Sequence, residues 1–596
     1  MLLQALVHYY DIMAAQGKIS KPGWCKAKIS YALQIDEQGN LKQVIPLKEH
    51  KQRGKKEVEV PQIMDVPEGV IRSSGVASQF LWDSSSYMLG IDAKGKPERS
   101  LECFQAAQEK HQEILKRINC PYARALKNYF ATWQPAKAIE NKVLQPFLED
   151  ILKGANIVFT LDGKSYAQDD EVIAATYSQW RQANGTGKQG QCLVTGKLAP
   201  IAKLHPKIKG VRGAQSSGAN LISFNALAVE SYGHEEDQGY NAPVSEESAF
   251  AYGTALNYLL ADDRHHMLLG DVTLVYWAED GNELCTDVMK AACFNDSETI
   301  SDDTLKHIFT QIRNGGTLKI GDEILNVDNQ FYVLGLSPNA SRLSVRFFWH
   351  NTFGELLKNV ALHQEQLQIV KPAFDNREFL PLWQILQETT NKNSSDKAAS
   401  PLLEGAVLEA ILNGTRYPQA LLQNIVMRVR ADQDNEQKHI FKIGRTKAAI
   451  IKACLLRNYK NAKEEVKVAL DEKSNNPAYV LGRVFSVLED IQEQAAGCVH
   501  REINSTIKDR YFDSASATPN IIFPLLYKLS AHHLKVVKRY KPGLAVILEK
   551  KMRDILDKID ITTNPIPQHL SLDAQGLFIL GYYHQTQQKK KKKEEK

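Results

Sequence analysis

The chain has 596 residues and 67.0 kDa, enough for several ordinary domains or two large ones. Hydrophobic residues make up 43% and charged residues 24%, which suits a globular protein with sizeable cores. With 74 Lys and Arg against 69 Asp and Glu, the net charge of +5 excludes a histone-like tail protein and a highly acidic one, and leaves nucleic-acid binding open through a local basic face.

The chain opens MLLQALVHYYDIM. Leu2, Leu3, Leu6, Val7 and Tyr10 share a face at helical spacing, which predicts a short amphipathic helix over 1–15. The stretch lacks a basic leader, and Asp11 interrupts the apolar run, so it does not fit a secretory signal. No run approaches the roughly 18 apolar residues of a membrane span. A soluble, cytoplasmic protein is expected. Strands are expected over 29–35 and 41–47, joined by Glu37-Gln38-Gly39-Asn40, where Gly-Asn supplies the φ > 0 positions of a tight turn. Residues 50–56 are polar and basic and read as a mobile loop. Helices are expected over 100–118 and 121–134.

The middle third mixes both types. Residues 271–277 and 341–349 are rich in β-branched and aromatic residues and read as strands. A helical pattern follows over 352–366. Residues 391–400 contain no large apolar side chain and read as a linker. Beyond it the pattern is almost wholly helical. Asn475-Asn476-Pro477 is a helix start, with Asn as cap and Pro at an early position where its missing N–H costs nothing. Val480, Val484, Val487, Leu488 and Ile491 then line one face. Leu544, Ile547, Leu548, Met552, Ile555, Leu556 and Ile559 line another. The tail 589–596 is a charge run that reads as a solvated, disordered end. The expected fold is therefore α+β. A mixed α/β region spans 1–390, 391–400 link, and an α-helical bundle spans 401–596.

Catalytic motifs are weak. The loop 184–190 has Gly187-Lys188 but lacks the first glycine and the magnesium-binding hydroxyl of a phosphate loop. Asp262, Asp263 and His265 supply metal-nuclease residue types, but neighbours on a helix point about 100° apart and do not converge. The eight cysteines contain no C-x-x-C, which argues against a zinc finger or ribbon and for reduced thiols. No serine-hydrolase elbow or zinc-protease motif occurs. No catalytic residue, metal or cofactor is expected.

Three segments suit nucleic acid instead. In 71–80, Arg72, Ser73, Ser74, Gly75 and Gln79 combine small residues for close approach with donors for base edges. Between 205 and 220, His205, Lys207, Lys209 and Arg212 stand among glycines, Gln215, Ser216, Ser217 and Asn220, with no acid; such a loop suits phosphate oxygens. From 501 to 596 there are 18 Lys and Arg against 10 Asp and Glu, a net +8, so the rest of the chain carries −3. Lys535, Lys538, Arg539 and Lys541 cluster there, with Lys550 and Lys551 following. A basic helical surface of this kind suits a nucleic-acid backbone.

These residues carry a resemblance that runs from end to end. Leu3-Gln4-Ala5-Leu6, Lys21-Pro22-Gly23-Trp24, Arg72-Ser-Ser-Gly75 and Cys192-Leu-Val-Thr-Gly196 resemble the large subunit of the type I-C CRISPR Cascade complex. So do Gly213-Ala-Gln-Ser-Ser-Gly-Ala219, Leu481-Gly-Arg483 and Leu580-Gly-Tyr-Tyr-His-Gln585. Two places depart from the pattern. Ser78-Gln79 stands where members often have Pro-Asn, and Asp83-Ser84 where they have Asp-Asn. The resemblance implies a non-catalytic subunit of an RNA-guided antiviral surveillance complex. Its N-terminal part would recognise the protospacer-adjacent motif (PAM) in double-stranded DNA through Arg72, Ser73, Ser74, Gly75 and Gln79. Lys207, Lys209, Arg212, Gln215, Ser216, Ser217 and Asn220 would hold the DNA backbone. The helical bundle would be similar to the small subunit and hold the displaced non-target strand of the R-loop through Lys535, Lys538, Arg539, Lys541, Lys550 and Lys551. Implied partners are the crRNA-bearing Cascade subunits (backbone filament, crRNA-processing and small subunits) and a recruited helicase-nuclease. In such systems guide pairing reads most of the sequence and protein reads the short flanking motif. Two readings of other classes stand beside it: a metal-dependent nuclease using Asp262, Asp263 and His265, and a scaffold that touches only protein.

Overall fold

The structure, a computed structural model, describes residues 1–53, 56–70, 75–93, 96–184, 188–224, 227–230, 237–295, 300–394, 399–435, 437, 440–459, 462–560, 562 and 565–594. It is an α+β protein, with sheets in the N-terminal part and a helical C-terminal region. Two compact units make it up: Met1–Lys207 with Ile222–Tyr258, and Ile208–Leu221 with Leu259–Lys596.

In the first unit a four-stranded sheet runs in the order Leu41–Pro46, Tyr31–Ile35, Asn156–Thr160, Asp83–Ser84. The expected hairpin is there: Tyr31–Ile35 and Leu41–Pro46 pair antiparallel, and Gly39 in the turn has φ +84. Leu33, Ile35 and Phe159 are buried with Phe104, Leu126, Tyr129 and Phe130 of the helices Pro97–Leu115 and Pro121–Thr132. The helix Leu2–Ala15 forms as its pattern predicts.

A second sheet corrects the loop expected at 50–56. Lys48–Arg53 and Lys56–Pro67 pair antiparallel, and Trp24–Ile29 joins their other edge. Polar composition hides such a ribbon because its ladder is built from backbone N–H and C=O groups, which every residue but proline supplies. Lys48 adds a cross-strand contact to Glu59 at 3.7 Å.

The second unit is built on a six-stranded sheet, whose outermost strand begins at the unit boundary with Lys207. Its order is Lys207–Ile208, Ala219–Asn220, Arg342–Thr352, Gln330–Asn339, Val272–Ala278, His266–Leu269. Every residue of Val272–Ala278 is buried, as expected of a strand covered on both faces. One face packs against the helices Glu283–Phe294 and Phe353–Leu367. The same core continues without a break through Leu408, Ile451, Leu481, Phe485 and Phe578 of the C-terminal helices. Residues 391–400 lie inside this unit, and 395–398 are outside the described residues.

The helix Pro477–Cys498 is the axis of that helical region. Asn476 caps it as the sequence predicts, its side-chain oxygen accepting from the N–H groups of Ala478 and Tyr479 at 3.0 and 3.4 Å. It is buried all round from Pro477 to Ile491, so it is a core helix rather than a one-faced one. It crosses the helix Leu572–Glu594 closely. A Cβ on Gly482 would lie 2.0 Å from the Phe578 carbonyl oxygen, and one on Gly581 would lie 2.1 Å from the Tyr479 carbonyl oxygen.

Two further expectations change. The charge run at 589–596 opens inside a helix that continues to Glu594, and its first lysine is not solvated: Lys589 pairs with Asp490 and Glu493, each at 2.7 Å. Acids on the central helix recruit this lysine, a long-range pairing that composition does not carry. Ile547 does not join its predicted face but is 63% exposed. It sits about 100° from Leu548, which takes the buried position instead.

Candidate nucleic-acid interface

Arg72, Ser73 and Ser74 lie outside the described residues; the chain that follows them is firmly held. Gly75 is exposed. From there the backbone turns inward. The Ser78 carbonyl accepts from Lys110 Nζ at 2.8 Å. The Gln79 N–H donates to Asp83 Oδ2 at 3.0 Å, and its side-chain amide faces Asp83 Oδ1 at 3.5 Å. Gln79 is buried, and a Cβ on Gly69 would meet its Oε1 at 2.7 Å. This glutamine is thus packed into its own unit, not displayed on the surface. Phe80 stacks on Tyr177 with centroids 5.3 Å apart.

The Leu81 N–H donates to His111 Nε2 at 2.9 Å, and Leu81 takes the unusual φ of +65. His111 Nδ1 lies 2.7 Å from the Ala107 carbonyl, so the proton sits on Nδ1 and Nε2 is the acceptor. Complete burial pushes the His111 pKa down to about 3, which keeps the ring neutral and able to accept. Trp82 Nε1 adds a bond to the Pro67 carbonyl at 2.8 Å.

The second predicted segment forms an arch over 208–220. Its feet are the short strands Lys207–Ile208 and Ala219–Asn220. Ile208, Val211 and Ala219 point into the protein, while Lys209, Arg212, Gln215, Ser216 and Ser217 are exposed and Asn220 is half-buried. Lys207, at the foot, is exposed too. Turns close from Ala214 N–H to the Val211 carbonyl at 3.2 Å and from Gly218 N–H to the Gln215 carbonyl at 2.9 Å. The Arg212 N–H donates to Thr273 Oγ1 at 3.2 Å and the Asn220 N–H to the Ser341 carbonyl at 3.0 Å. Apolar residues thus anchor the arch and cations stand outward, on a backbone fixed by the sheet.

The third segment runs through two helices, Pro519–Tyr540 and Pro542–Leu556. Lys535, Lys538, Arg539, Lys541 and Lys550 are exposed; Lys551 is half-buried. Lys535 stands three and four residues from Lys538 and Arg539, so all three share one side of the helix. The Arg539 guanidinium lies 5.8 Å from the Tyr540 ring centroid, and Tyr540 is 54% exposed. Cations beside an exposed ring suit a single-stranded backbone and its bases.

Asp262, Asp263 and His265 do not come together. Asp262 is bound to Arg264 at 2.7 Å, the Asp263 side chain is fully exposed, and His265 is buried with Nδ1 3.3 Å from the Tyr276 carbonyl. Among the described residues no three His, Cys, Asp or Glu side chains are placed to hold a metal. No described helix is long and apolar enough to cross a membrane.

Sequence reading passed over two features. His111 is a lone histidine on an amphipathic helix, and its partner Leu81 lies thirty residues away. Arg346 is exposed on the strand Arg342–Thr352 at a bulge in its pairing, which no local sequence signal marks. The Cys192-Leu-Val-Thr-Gly196 string is a tight turn, closed by Gly196 N–H on the Cys192 carbonyl at 2.8 Å. Burial raises its thiol, but hydrogen bonds from Ser245 and Thr195 outweigh that and bring the pKa to about 6.

A family model described as CRISPR-associated protein (Cas_Csd1) matches residues 6–589, nearly the whole chain. No curated protein matches it.

Proposed function

The chain belongs to the CRISPR-associated Csd1 family, a Cascade large-subunit family, and from that premise we propose that it is the DNA-engaging large subunit of a type I-C surveillance complex. In this reading it recognises the flanking motif in duplex DNA, aids R-loop formation, holds the displaced strand and helps recruit the helicase-nuclease that cuts. The observation that supports it most is the 208–220 arch, where cations stand outward on a backbone fixed by buried anchors. Residues so held contact phosphates without first paying to order a loop.

Arg72, Ser73, Ser74, Gly75 and Gln79 form the motif-reading segment in this proposal. The Gln79 N–H bond to Asp83 holds the end of that segment in place. Lys207, Lys209, Arg212, Gln215, Ser216, Ser217 and Asn220 contact the duplex backbone. Lys535, Lys538, Arg539, Lys541, Lys550 and Lys551 contact the non-target strand. The helical region after residue 400 corresponds to the small-subunit-like part, and the remaining partners are the crRNA-bearing subunits.

The test is duplex binding by the purified full chain across a salt series, with and without magnesium. Salt-sensitive binding without cleavage is expected. Salt-insensitive binding or none would favour the protein-only scaffold. Magnesium-dependent cleavage lost in Asp263→Ala would favour the nuclease.

A further inference from the structure

The second unit carries a strip of aromatic rings on the same sheet face as the basic arch. In the strand Arg342–Thr352, residues 348 and 350 alternate onto one face, and Arg346 is the unpaired residue of a bulge beside them. Arg346 and His350 are exposed and Phe348 is half-buried, while Trp349 on the other face is buried in the helical core. His350 stands opposite Tyr332, and Tyr332 opposite Trp277. The rings lie nearly parallel: Trp277 to Tyr332 is 5.0 Å at 19°, and Tyr332 to Phe348 is 6.0 Å at 10°. Phe348 to His350 is 5.8 Å at 37°. Trp277 is fully buried, so exposure rises from Trp277 outward to His350.

The arch covers one end of this face, and Thr273, Val275, Leu334 and Leu336 between it and the rings are buried, so the open part of the face is the rim at Arg346, Phe348 and His350. Arg212 bonds through its N–H to Thr273, which shares a face with Val275 and Trp277 by alternation in Val272–Ala278. Thr273 and Trp277 are four residues apart, roughly 13 Å along the strand. Arg346 makes no ion pair among the described residues. Glu279, which accepts from the Tyr332 hydroxyl at 3.1 Å, marks the acidic end of the strip.

We propose that the exposed rim of this face binds unpaired DNA, with bases stacked on His350 and Phe348 and a phosphate on Arg346. Flat rings suit every base, and the guanidinium suits the backbone between them. The site is separate from the lysines of 535–541. It rests on the reading of the chain as a DNA-engaging subunit, and it adds a place where a strand stays open once unpaired.

The experiment uses the full chain and a fluorescent 20-nucleotide single strand carrying one 2-aminopurine, with a duplex of the same sequence as reference. Phe348→Leu with His350→Ala should weaken single-strand binding roughly tenfold, as loss of base stacking does, and leave duplex binding unchanged. Quenching of 2-aminopurine on binding should disappear in that variant and persist in Phe348→Tyr, which keeps the ring and controls for folding. Arg346→Gln should reduce the salt slope of single-strand binding by about one. Unchanged single-strand affinity and quenching in the double variant, with wild-type duplex binding intact, would overturn this inference alone. A wild-type chain that binds neither DNA would overturn it together with the proposed function.

Discussion

A Cβ on Gly482 would stand 2.0 Å from the carbonyl oxygen of Phe578, so only glycine lets these two helices cross where they do. Gly581 makes the reciprocal approach to Tyr479. Around the crossing, Arg483 Nε bonds Gln585 Oε1 at 3.1 Å, Tyr479 bonds His584 Nδ1 at 2.9 Å, and Tyr582 donates to Glu489. The Leu481-Gly-Arg483 and Leu580–Gln585 strings are therefore the two sides of one structural seam. Gly482→Ala or Gly581→Ala should destabilise the protein by about 1–3 kcal/mol, through overpacking against backbone that cannot step aside. Urea unfolding measures this. A variant as stable as wild type would mean that the helices separate at little cost.

That seam shows what the sequence discloses and what it withholds. Asn476 and Pro477 were legible because a helix cap is a local matter of a few residues. The two glycine strings were visible as motifs, but their meeting is a contact across about a hundred residues. The ribbon over 48–67 was missed because polar side chains hid a backbone ladder. Gln79 was legible as an amide donor, but its burial beside Asp83 was not, because that contact depends on how the chain turns inward. The arch was legible in composition, since acid-free cations among glycines signal a phosphate-facing loop. That its apolar residues are the anchors required the sheet.

Acid should destabilise the protein below pH 6.5. Burial lowers His111 and His363 to about 3, and His205 and His584 to about 4. Each is neutral when folded, whereas the unfolded chain takes up a proton near the ordinary value of about 6.5. The unfolded state then binds more protons, so stability present above 6.5 is lost as pH falls toward 4, by up to about 1.4 kcal/mol per histidine per pH unit. Glu404 works the other way: burial first, then Asp271, raises it to about 7, so its contribution is lost as pH rises from its ordinary range through 7. Four histidines outweigh one glutamate. Denaturation midpoints at pH 7 and 5 check the sign; a higher midpoint at pH 5 would show that these rings are protonated in the fold.

Each arch cation should act on the backbone of DNA. Lys209→Ala and Arg212→Ala should each weaken duplex binding whatever its sequence, and each should reduce the salt slope by about one. Titrations at several salt concentrations give the slope directly. A double variant with the wild-type slope would leave the arch a merely solvated turn.

The bundle should matter after opening, not before. R-loop formation is nearly balanced, so modest protein–backbone contacts can tip it. Neutralising Lys535, Lys538, Arg539 and Lys541 together should leave first binding intact and shorten the life of the open state, most on relaxed DNA. Permanganate reactivity of unpaired thymines follows that lifetime. Equal persistence in the quadruple variant would assign these residues to solvation.

The central claim is that this chain reads a short flanking motif, and one selection tests it most directly. The assembled complex is given duplex targets that match its guide and are randomised at the flanking positions, and the bound fraction is sequenced. The account predicts strong enrichment of particular flanking bases with the wild-type chain. Arg72→Ala should flatten that enrichment, because a lost base contact costs about 1–3 kcal/mol. Equal recovery of every flanking sequence by the wild-type complex would contradict the account.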